Sequence, residues 1–366
     1  MPGMTFFYHH PSCELSFGIN NVFSPDSEQN IQNELFIDIA YKSMEETWGA
    51  GNFYIFARSV FDRARSKTAI WDGDTNSSWE SLRISVLSGI RSGLVGFSQW
   101  GSDTGGYVRP KGTPTEEVWA RWMMFSVFCP MYEIQIGRGV APWSPPYGST
   151  TMHNFKTSTD LHTKIVPYIR SYAYEASRSG MPVIRALFLE YPEDNVVDNI
   201  ADQYAFGSEF LVAPIIEDGD SRDVYFPNNG RYLEWLNKTD VYEGGQSHHV
   251  SAKLDEIPVY VREGAIVPTG DIYQGNAKWI EDWRAHLDIE IFPGYQVSES
   301  SFNYYRGDGR ISKIVVTTDA KRESVTIKHQ GFDVPATFIV YGKEGAERFS
   351  AEKKHIRIGD FKSLFP

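Results

Sequence analysis

Two aspartates, Asp72 and Asp74, flank a glycine in a short segment that lies between Trp71 and Trp79. Tryptophan rings are good platforms for the apolar faces of sugars. A carboxyl group beside an apolar wall can have a raised pKa, which a general acid that works near neutral pH needs. The segment therefore indicates acid–base chemistry on a carbohydrate, although an acidic loop that caps the following helix would have the same composition.

Strands, loops and helices alternate along the first half of the chain, and this order predicts parallel α/β units. Four such units make half of a (β/α)8 barrel. No G-x-G-x-x-G follows the first strand, so a dinucleotide-binding sheet is not indicated. The predicted strands are 53–57, 94–98, 131–136 and 183–189, and the predicted helices are 33–48, 79–92, 115–128 and 159–179.

The pattern changes near residue 217, where short alternating strands with turn residues replace the helical periodicity. Examples are the segments 224–226, 232–236 and 259–262. This texture predicts one or two β-sandwich modules. We place a partial catalytic barrel in residues 1–217, a proximal β domain in 218–270 and a distal β domain in 271–366.

In a (β/α) barrel the active site lies at the carboxyl ends of the strands. Three polar residues, Arg58, Asp74 and Asp103, lie at such positions on successive units. Each has a structural explanation of its own, since Arg58 could pair with a neighbouring acid and Asp103 could hold a glycine-rich turn. Together they suit a sugar, whose hydroxyl groups need charged donors and carboxylate acceptors.

The order and spacing of seven motifs resemble glycoside hydrolase family 31, the α-glucosidase and α-xylosidase group. The resemblance covers roughly residues 34–270 and implies a catalytic (β/α)8 barrel followed by β domains. The motifs are F-A-R-S (56–59), I-W-D-G-D (70–74), G-S-D-T-G-G-Y (101–107), R-W-M-M-F-S (121–126), V-I-R-A-L (183–187), F-L-V-A-P (210–214) and V-R-E-G-A-I (261–266).

The resemblance implies that Asp74 is the general acid/base of a retaining α-glycosidase acting on α-linked glucosides or xylosides. It also implies that Arg58 and Asp103 contact substrate hydroxyls. Trp71 and Tyr107 would line the −1 subsite that holds the glycone sugar.

Asp72 competes with Asp74 for the role of the acid. The family motif places the acid directly after the glycine, which favours Asp74.

The chain departs from the family pattern where many members carry a substrate-binding Arg-x-His motif. The aligned residues here are Glu133, Ile134 and Gln135. Gln135 can bond a sugar hydroxyl but cannot titrate as histidine does. The identity of the sugar therefore stays open, and Glu133 can mark a subgroup.

The nucleophilic aspartate of the family lies at the end of the fourth barrel strand, upstream of the acid/base. No segment of this chain resembles that strand, and Asp26 follows no buried apolar run. We therefore expect the chain to be the C-terminal portion of such an enzyme, without appreciable turnover on its own. Four strands leave two open edges, so we expect the chain to need its N-terminal half or to form a homo-oligomer.

Two other functions remain open at this point. One is a non-catalytic carbohydrate-binding remnant or partner subunit, which the missing nucleophile favours and the retained acids disfavour. The other is an α-glucan lyase or a transglycosylase, since both chemistries occur among proteins that resemble this one.

Composition limits the partners further. A net charge of −12 and a pI near 5.3 argue against nucleic acid or an anionic membrane as the main partner. Cys13 and Cys129 are too few for a disulfide framework, and no apolar run is long enough to span a membrane. His248-His249 is expected to be a solvated pair in a loop. We expect no cofactor and no metal. Localisation stays open, because a signal peptide would precede residue 1.

Overall fold

A computed structural model describes residues 25–108, 113–137, 140–228, 230–272 and 284–365. The predictions that fall on residues 1–24, including the one for Cys13, lie outside the described residues. Five α-helices occur in the described part, and in chain order they are α1 (Pro25–Trp48), α2 (Trp79–Leu94), α3 (Glu116–Val127), α4 (Ser149–Ser179) and α5 (Leu187–Glu190).

The strands are short in the first half of the chain and longer in the second half. In chain order they are β1 (Phe56–Ala57), β2 (Ala69–Trp71), β3 (Trp100–Gly101), β4 (Ile184–Arg185), β5 (Tyr204–Phe206), β6 (Phe210–Val212), β7 (Ser221–Phe226), β8 (Arg231–Glu234), β9 (Val241–Glu243), β10 (Gln246–Ser251), β11 (Val259–Arg262), β12 (Ile266–Thr269), β13 (Leu287–Ile291), β14 (Glu299–Tyr305), β15 (Ile311–Asp319), β16 (Ser324–His329), β17 (Ala336–Gly342), β18 (Gly345–Ser350) and β19 (His355–Ile358).

These strands form one parallel sheet and four sheets in which antiparallel pairing dominates. The parallel sheet has the order β1-β2-β3. The six-stranded sheet has the order β4-β5-β6-β11-β8-β9, and β10 pairs with β7. Two four-stranded sheets, β12-β13-β17-β18 and β14-β15-β16-β19, follow towards the C-terminus. The expected fold class, a partial (β/α)8 barrel followed by all-β domains, is confirmed, and the described parallel sheet is not closed.

Two helices of the barrel part begin where local sequence places their caps. The Ser78 side chain accepts a hydrogen bond from the Ser81 amide at 3.2 Å, and Thr115 accepts one from Val118 at 3.2 Å. Such caps satisfy amides that have no partner within the helix. Every residue of α3 from Val118 to Val127 is buried, because neighbouring elements cover this helix on all sides.

The predicted barrel strands are partly wrong. The strand β2 lies outside all of the predicted strands. Of the predicted strand 94–98 only Leu94 lies in a regular element, as the last residue of α2, and β3 begins two residues after the segment. The segment 131–136 forms only a single bridge, between Asp103 and Glu133. Hydrophobic periodicity does not predict these strands, because a strand of two or three residues is too short to show a repeating pattern.

The fourth predicted strand, 183–189, belongs to another sheet. Only two of its residues form a strand, β4, which pairs antiparallel with β5, and a helical turn, α5, follows it. The six-stranded sheet thus includes strands from both sides of residue 217. The residue numbers that separate the three expected domains stay a prediction.

Two helices of the barrel part begin well before their predicted first residues. The first begins at Pro25 instead of residue 33, and α4 begins at Ser149 instead of residue 159. In the described residues after position 217 the chain contains no helix, as predicted. None of the described helices combines the length and the apolar character that a membrane span requires.

Helix α2 packs very closely against β4, and Gly93 makes this approach possible. A Cβ atom on Gly93 would lie 2.5 Å from the carbonyl oxygen of Ile184, a backbone atom that cannot rotate away. We therefore expect Gly93→Ala to lower the free energy of unfolding by about 1–3 kcal/mol, although alanine is the better helix former. Urea unfolding measures this change.

The matched control is Gly359→Ala, since a Cβ atom on Gly359 would meet no atom within 4 Å. Equal stability of the two variants would contradict the close contact between α2 and β4.

Candidate active site

Four chain segments end side by side at the carboxyl edge of the parallel sheet. Beyond the three strands, the Met131 amide donates to the Trp100 carbonyl at 3.2 Å and the Thr104 amide donates to the Glu133 carbonyl at 3.2 Å. The segment 131–133 therefore continues the sheet next to β3. Because adjacent strands lie about 4.8 Å apart, the polar residues that follow the four segments become neighbours.

Asp74 and Arg58 form an ion pair at this edge. Arg58 directly follows β1, Asp74 lies three residues after β2, and Arg58 Nη1 is 3.3 Å from Asp74 Oδ1. The turn between Asp72 and Asp74 depends on Gly73, whose φ of +81° favours glycine. The Asp74 side chain is 29% exposed, so its carboxyl group can reach a ligand at the edge of the sheet.

Asp72 has a different environment. The wholly buried Ser85 of α2 donates a hydrogen bond to Asp72 Oδ2 at 2.5 Å. Burial raises the pKa of Asp72 to about 7, and the bond from Ser85 opposes this rise. Asp72 is thus tied to the helix behind the sheet, whereas Asp74 faces Arg58.

Asp103 is the most deeply buried acid of the group. It is 0% exposed, and neither carboxyl oxygen has a hydrogen-bond partner in the described part of the chain. Burial raises its pKa to about 8, the charges of Asp72 and Asp74 add to the rise, and Arg58 opposes it. A buried carboxyl group without partners is unfavourable unless a ligand supplies them.

The glycine-rich loop after Asp103 is held against the loop after β2. The Ser77 amide donates to the Val108 carbonyl at 3.0 Å, and the Val108 amide donates to the Thr75 carbonyl at 2.9 Å. Gly106, with a φ of +82°, touches the backbone of Asn76 so closely that a Cβ atom would lie 2.7 Å from its carbonyl carbon. The two acidic loops are therefore fixed relative to each other.

Glu133 joins these acids, although sequence reasoning did not include it among the site residues. Its pKa is raised to about 9, first by burial and then by the charges of Asp103 and Asp72. Its Oε1 atom has no hydrogen-bond partner among the residues that the structure describes. The available signal was its place within the predicted strand 131–136, where an acidic side chain interrupts an otherwise largely apolar run.

The remaining predicted residues lie around this cluster. Trp71 is only 6% exposed and packs against Phe56 with a ring-centroid distance of 4.6 Å. Tyr107 is half-buried, and its ring lies so close to Gly137 that a Cβ atom there would be 2.7 Å from the ring. Gln135 is half-buried between Glu133 and Gly137. Arg58, Asp74, Asp103 and Glu133 thus form the centre of the site.

The described residues contain no group of three or more histidine, cysteine or acidic side chains that could hold a metal ion. His249 Nδ1 contacts Asp223 Oδ1 at 2.9 Å, and both side chains are exposed on the β7–β10 pair. The two histidines thus lie in the strand β10 and not in a loop, and the His248 ring packs against Phe226 and Tyr242 with ring-centroid distances of 5.7 and 5.1 Å.

Two family models match the chain and together include all of the candidate site. Residues 12–172 match the TIM-barrel domain of glycosyl hydrolases family 31, and residues 180–267 match the family 31 C-terminal domain. The second match begins just before β4, in agreement with the membership of β4 in the six-stranded sheet.

Known proteins with similar sequences act on α-linked sugars. The chain is 27% identical over 316 residues to alpha-glucosidase 2 of Bacillus thermoamyloliquefaciens, a match that covers 84% of this chain and 39% of that protein. It is 30% identical over 286 residues to a 1,6-alpha-glucosyltransferase of Sporosarcina globispora, which covers 72% of this chain and 21% of that protein.

A solved structure shows the same fold. The family 31 dextranase of Flavobacterium johnsoniae, in complex with glucose, superposes with a TM-score of 0.76 at 28% identity, over 85% of this chain and 41% of that one. The chain thus spans at most about two fifths of these three proteins.

The raised pKa values predict a pH-dependent stability. For Asp103 the pKa rises from 3.8 to about 8 on folding, so between these pH values the folded state binds more protons than the unfolded state. The free energy of unfolding therefore falls as the pH rises through this window. Each such group contributes a slope of at most about 1.4 kcal/mol per pH unit. Urea unfolding at a series of pH values measures it.

Asp103→Asn and Glu133→Gln should each flatten this dependence, because the group that loses its proton is gone. Glu193→Gln is the control, since Glu193 is an exposed glutamate. A wild-type stability that rises from about pH 5 to about pH 8 would contradict the burial of these carboxyl groups.

Proposed function

The chain belongs to glycosyl hydrolase family 31, and from this premise we propose that it supplies the acid–base side of a retaining α-glycosidase site for α-linked glucosides or xylosides. The observation that carries the proposal is the half-exposed Asp74–Arg58 pair beside the buried, unpartnered Asp103. The accessible carboxyl group of Asp74 suits proton transfer, and the buried carboxyl group of Asp103 at the same edge suits hydroxyl binding.

Asp74 is the proposed general acid/base. In a retaining mechanism one carboxylate attacks the anomeric carbon while the acid protonates the leaving oxygen, and the same residue then activates water. Asp74 can reach the leaving group because its side chain is 29% exposed. The alternative acid, Asp72, is held by Ser85 at 2.5 Å, and this bond favours Asp74 for the role.

Arg58 and Asp103 are the proposed ligands of substrate hydroxyls. The oxygens of Asp103 have no partner among the described residues, so hydroxyl donors from a sugar would satisfy them. Arg58 can hold Asp74 and donate to the sugar at the same time, because a guanidinium group has five donors. Trp71, Tyr107 and Gln135 would complete the walls of the subsite.

The activity is proposed for the protein in which these residues form a complete site. We assign the attacking carboxylate to no described residue. The chain spans 39% of the α-glucosidase and 41% of the dextranase that it resembles. The activity should therefore be assayed in a protein that contains the complete site.

Transglycosylation is the second candidate, and similarity to the 1,6-alpha-glucosyltransferase favours it. The chemistry differs only in the second step, where Asp74 would take the proton of a sugar hydroxyl instead of water. Product analysis separates the two activities, since transfer makes longer sugars and hydrolysis releases the monosaccharide.

Asp74→Asn should reduce turnover in proportion to how much the leaving group needs a proton. With alkyl or sugar leaving groups we expect a loss of about 10²- to 10⁴-fold, the usual contribution of general acid catalysis. With a dinitrophenyl leaving group, which departs without a proton, bond cleavage should change little. Single-turnover kinetics on the two substrate types measures the difference.

Asp72→Asn is the matched control, because it removes a neighbouring carboxyl group that is tied to Ser85. If this variant, and not Asp74→Asn, shows the dependence on the leaving group, then Asp72 is the acid and the assignment is wrong.

A further inference from the structure

Asp103 and Glu133 form a pair of carboxyl groups on two adjacent segments of the parallel sheet. A parallel bridge joins the two residues, and the Thr104 amide donates to the Glu133 carbonyl at 3.2 Å. Both oxygens of Asp103 and the Oε1 atom of Glu133 are buried without a hydrogen-bond partner in the described part of the chain. Three buried carboxyl oxygens on neighbouring segments thus lack hydrogen-bond partners.

The charges around the pair are mostly negative. Asp72 raises the pKa of both groups, Asp74 raises that of Asp103, and Arg58 is the cation that opposes the rise at Asp103. The Tyr54 hydroxyl donates to Met131 Sδ at 2.9 Å, and burial followed by the charge of Glu133 raises the pKa of this phenol. Burial with so few cations favours the protonated form of one or both carboxyl groups at neutral pH.

We propose that Glu133 is a specificity-determining residue of this site, and that its carboxyl group and that of Asp103 bind two neighbouring hydroxyl groups of one sugar ring. The inference rests on the proposed function, because it places this sugar beside Asp74. It adds a residue that the family pattern does not predict, since many members have arginine at this position.

The chemistry of hydroxyl groups fits such a pair. A hydroxyl group is one donor and an acceptor, a protonated carboxyl group donates one bond, and an ionised one only accepts. Two adjacent hydroxyls can therefore satisfy a carboxyl pair that holds a single proton. A sugar that lacks one of these hydroxyls would leave a buried oxygen unpartnered, which sites of this kind reject strongly.

The test is a thermodynamic cycle in which the Glu133 side chain is removed from the protein and one hydroxyl group is removed from the sugar, separately and together. Calorimetry compares the binding of methyl α-glucoside with that of each of its monodeoxy analogues, in the wild-type protein and in Glu133→Ala. In the wild type, loss of the hydroxyl that Glu133 binds should weaken binding by about 10- to 100-fold, typical of a hydrogen bond to a charged group. In Glu133→Ala the same loss should have no effect.

The variant Glu133→Gln tests whether the loss of discrimination in Glu133→Ala comes only from a structural change. Its amide can donate and accept, so this variant should recover part of the discrimination between the sugar and its deoxy analogue. Both variants should fold, because they remove repulsion from Asp103 and Asp72. Glu193→Gln, at an exposed site, is the control and should discriminate as the wild type does.

The outcomes separate this inference from the proposed function. If the wild type binds the sugar and Glu133→Ala keeps the full discrimination at every hydroxyl, the role of Glu133 is wrong and the proposed function stands. If Asp74 and Asp103 variants bind and turn over sugars as the wild type does, the proposed function fails. Failure of the wild-type protein to bind any α-glucoside or α-xyloside contradicts both.

Discussion

The parallel alignment of β1, β2 and β3 is the constraint on which the candidate site depends. Parallel neighbours end at the same edge, so Arg58, Asp74 and Asp103 come together although 45 residues separate the first from the last. The strands are only two or three residues long, and few backbone hydrogen bonds hold them. The packing behind the sheet must therefore maintain the register.

Helix α3 shows how this packing reaches into the β domains. Its Arg121 donates to the backbone carbonyls of Gly219, Ala252 and Lys253 at 2.8–3.0 Å. In the same helix the Trp122 indole donates to Ser102 at 3.0 Å, next to Asp103. The helix thus connects the loop of a buried acid to carbonyl groups beyond residue 217, which explains why barrel and β domain pack as neighbours.

The buried carboxyl groups of the candidate site lower the stability of the folded protein. Burying Asp72, Asp103 and Glu133 near one another raises their pKa values and leaves oxygens without partners. Such an arrangement is unfavourable, because a buried polar atom without a partner loses its hydrogen bonds to water and gains none in return. Asp74 escapes this constraint, because it lies at the rim and pairs with Arg58.

The sequence alone predicted the parts of the fold that local signals carry. The helices predicted at 79–92 and 115–128 agree with α2 and α3 to within two residues at each end. The order of the motifs identified the family, the partial barrel and the β domains that follow it. The position of Arg58 also came from the sequence, because a polar residue at the end of an apolar run is a local pattern. Asp74 and Asp103 were placed by the motifs in the loops of successive units.

Only the tertiary structure decided which strands pair and which acidic side chains are buried away from solvent. A strand of two or three residues exists because a neighbour bonds to it, so β2 was missed and β4 was assigned to the wrong sheet. Glu133 is an ordinary glutamate in the sequence, and its pKa of about 9 arises from burial beside Asp103 and Asp72. Strand pairing and the desolvation of side chains depend on residues that are distant along the chain, so a local sequence pattern does not predict them.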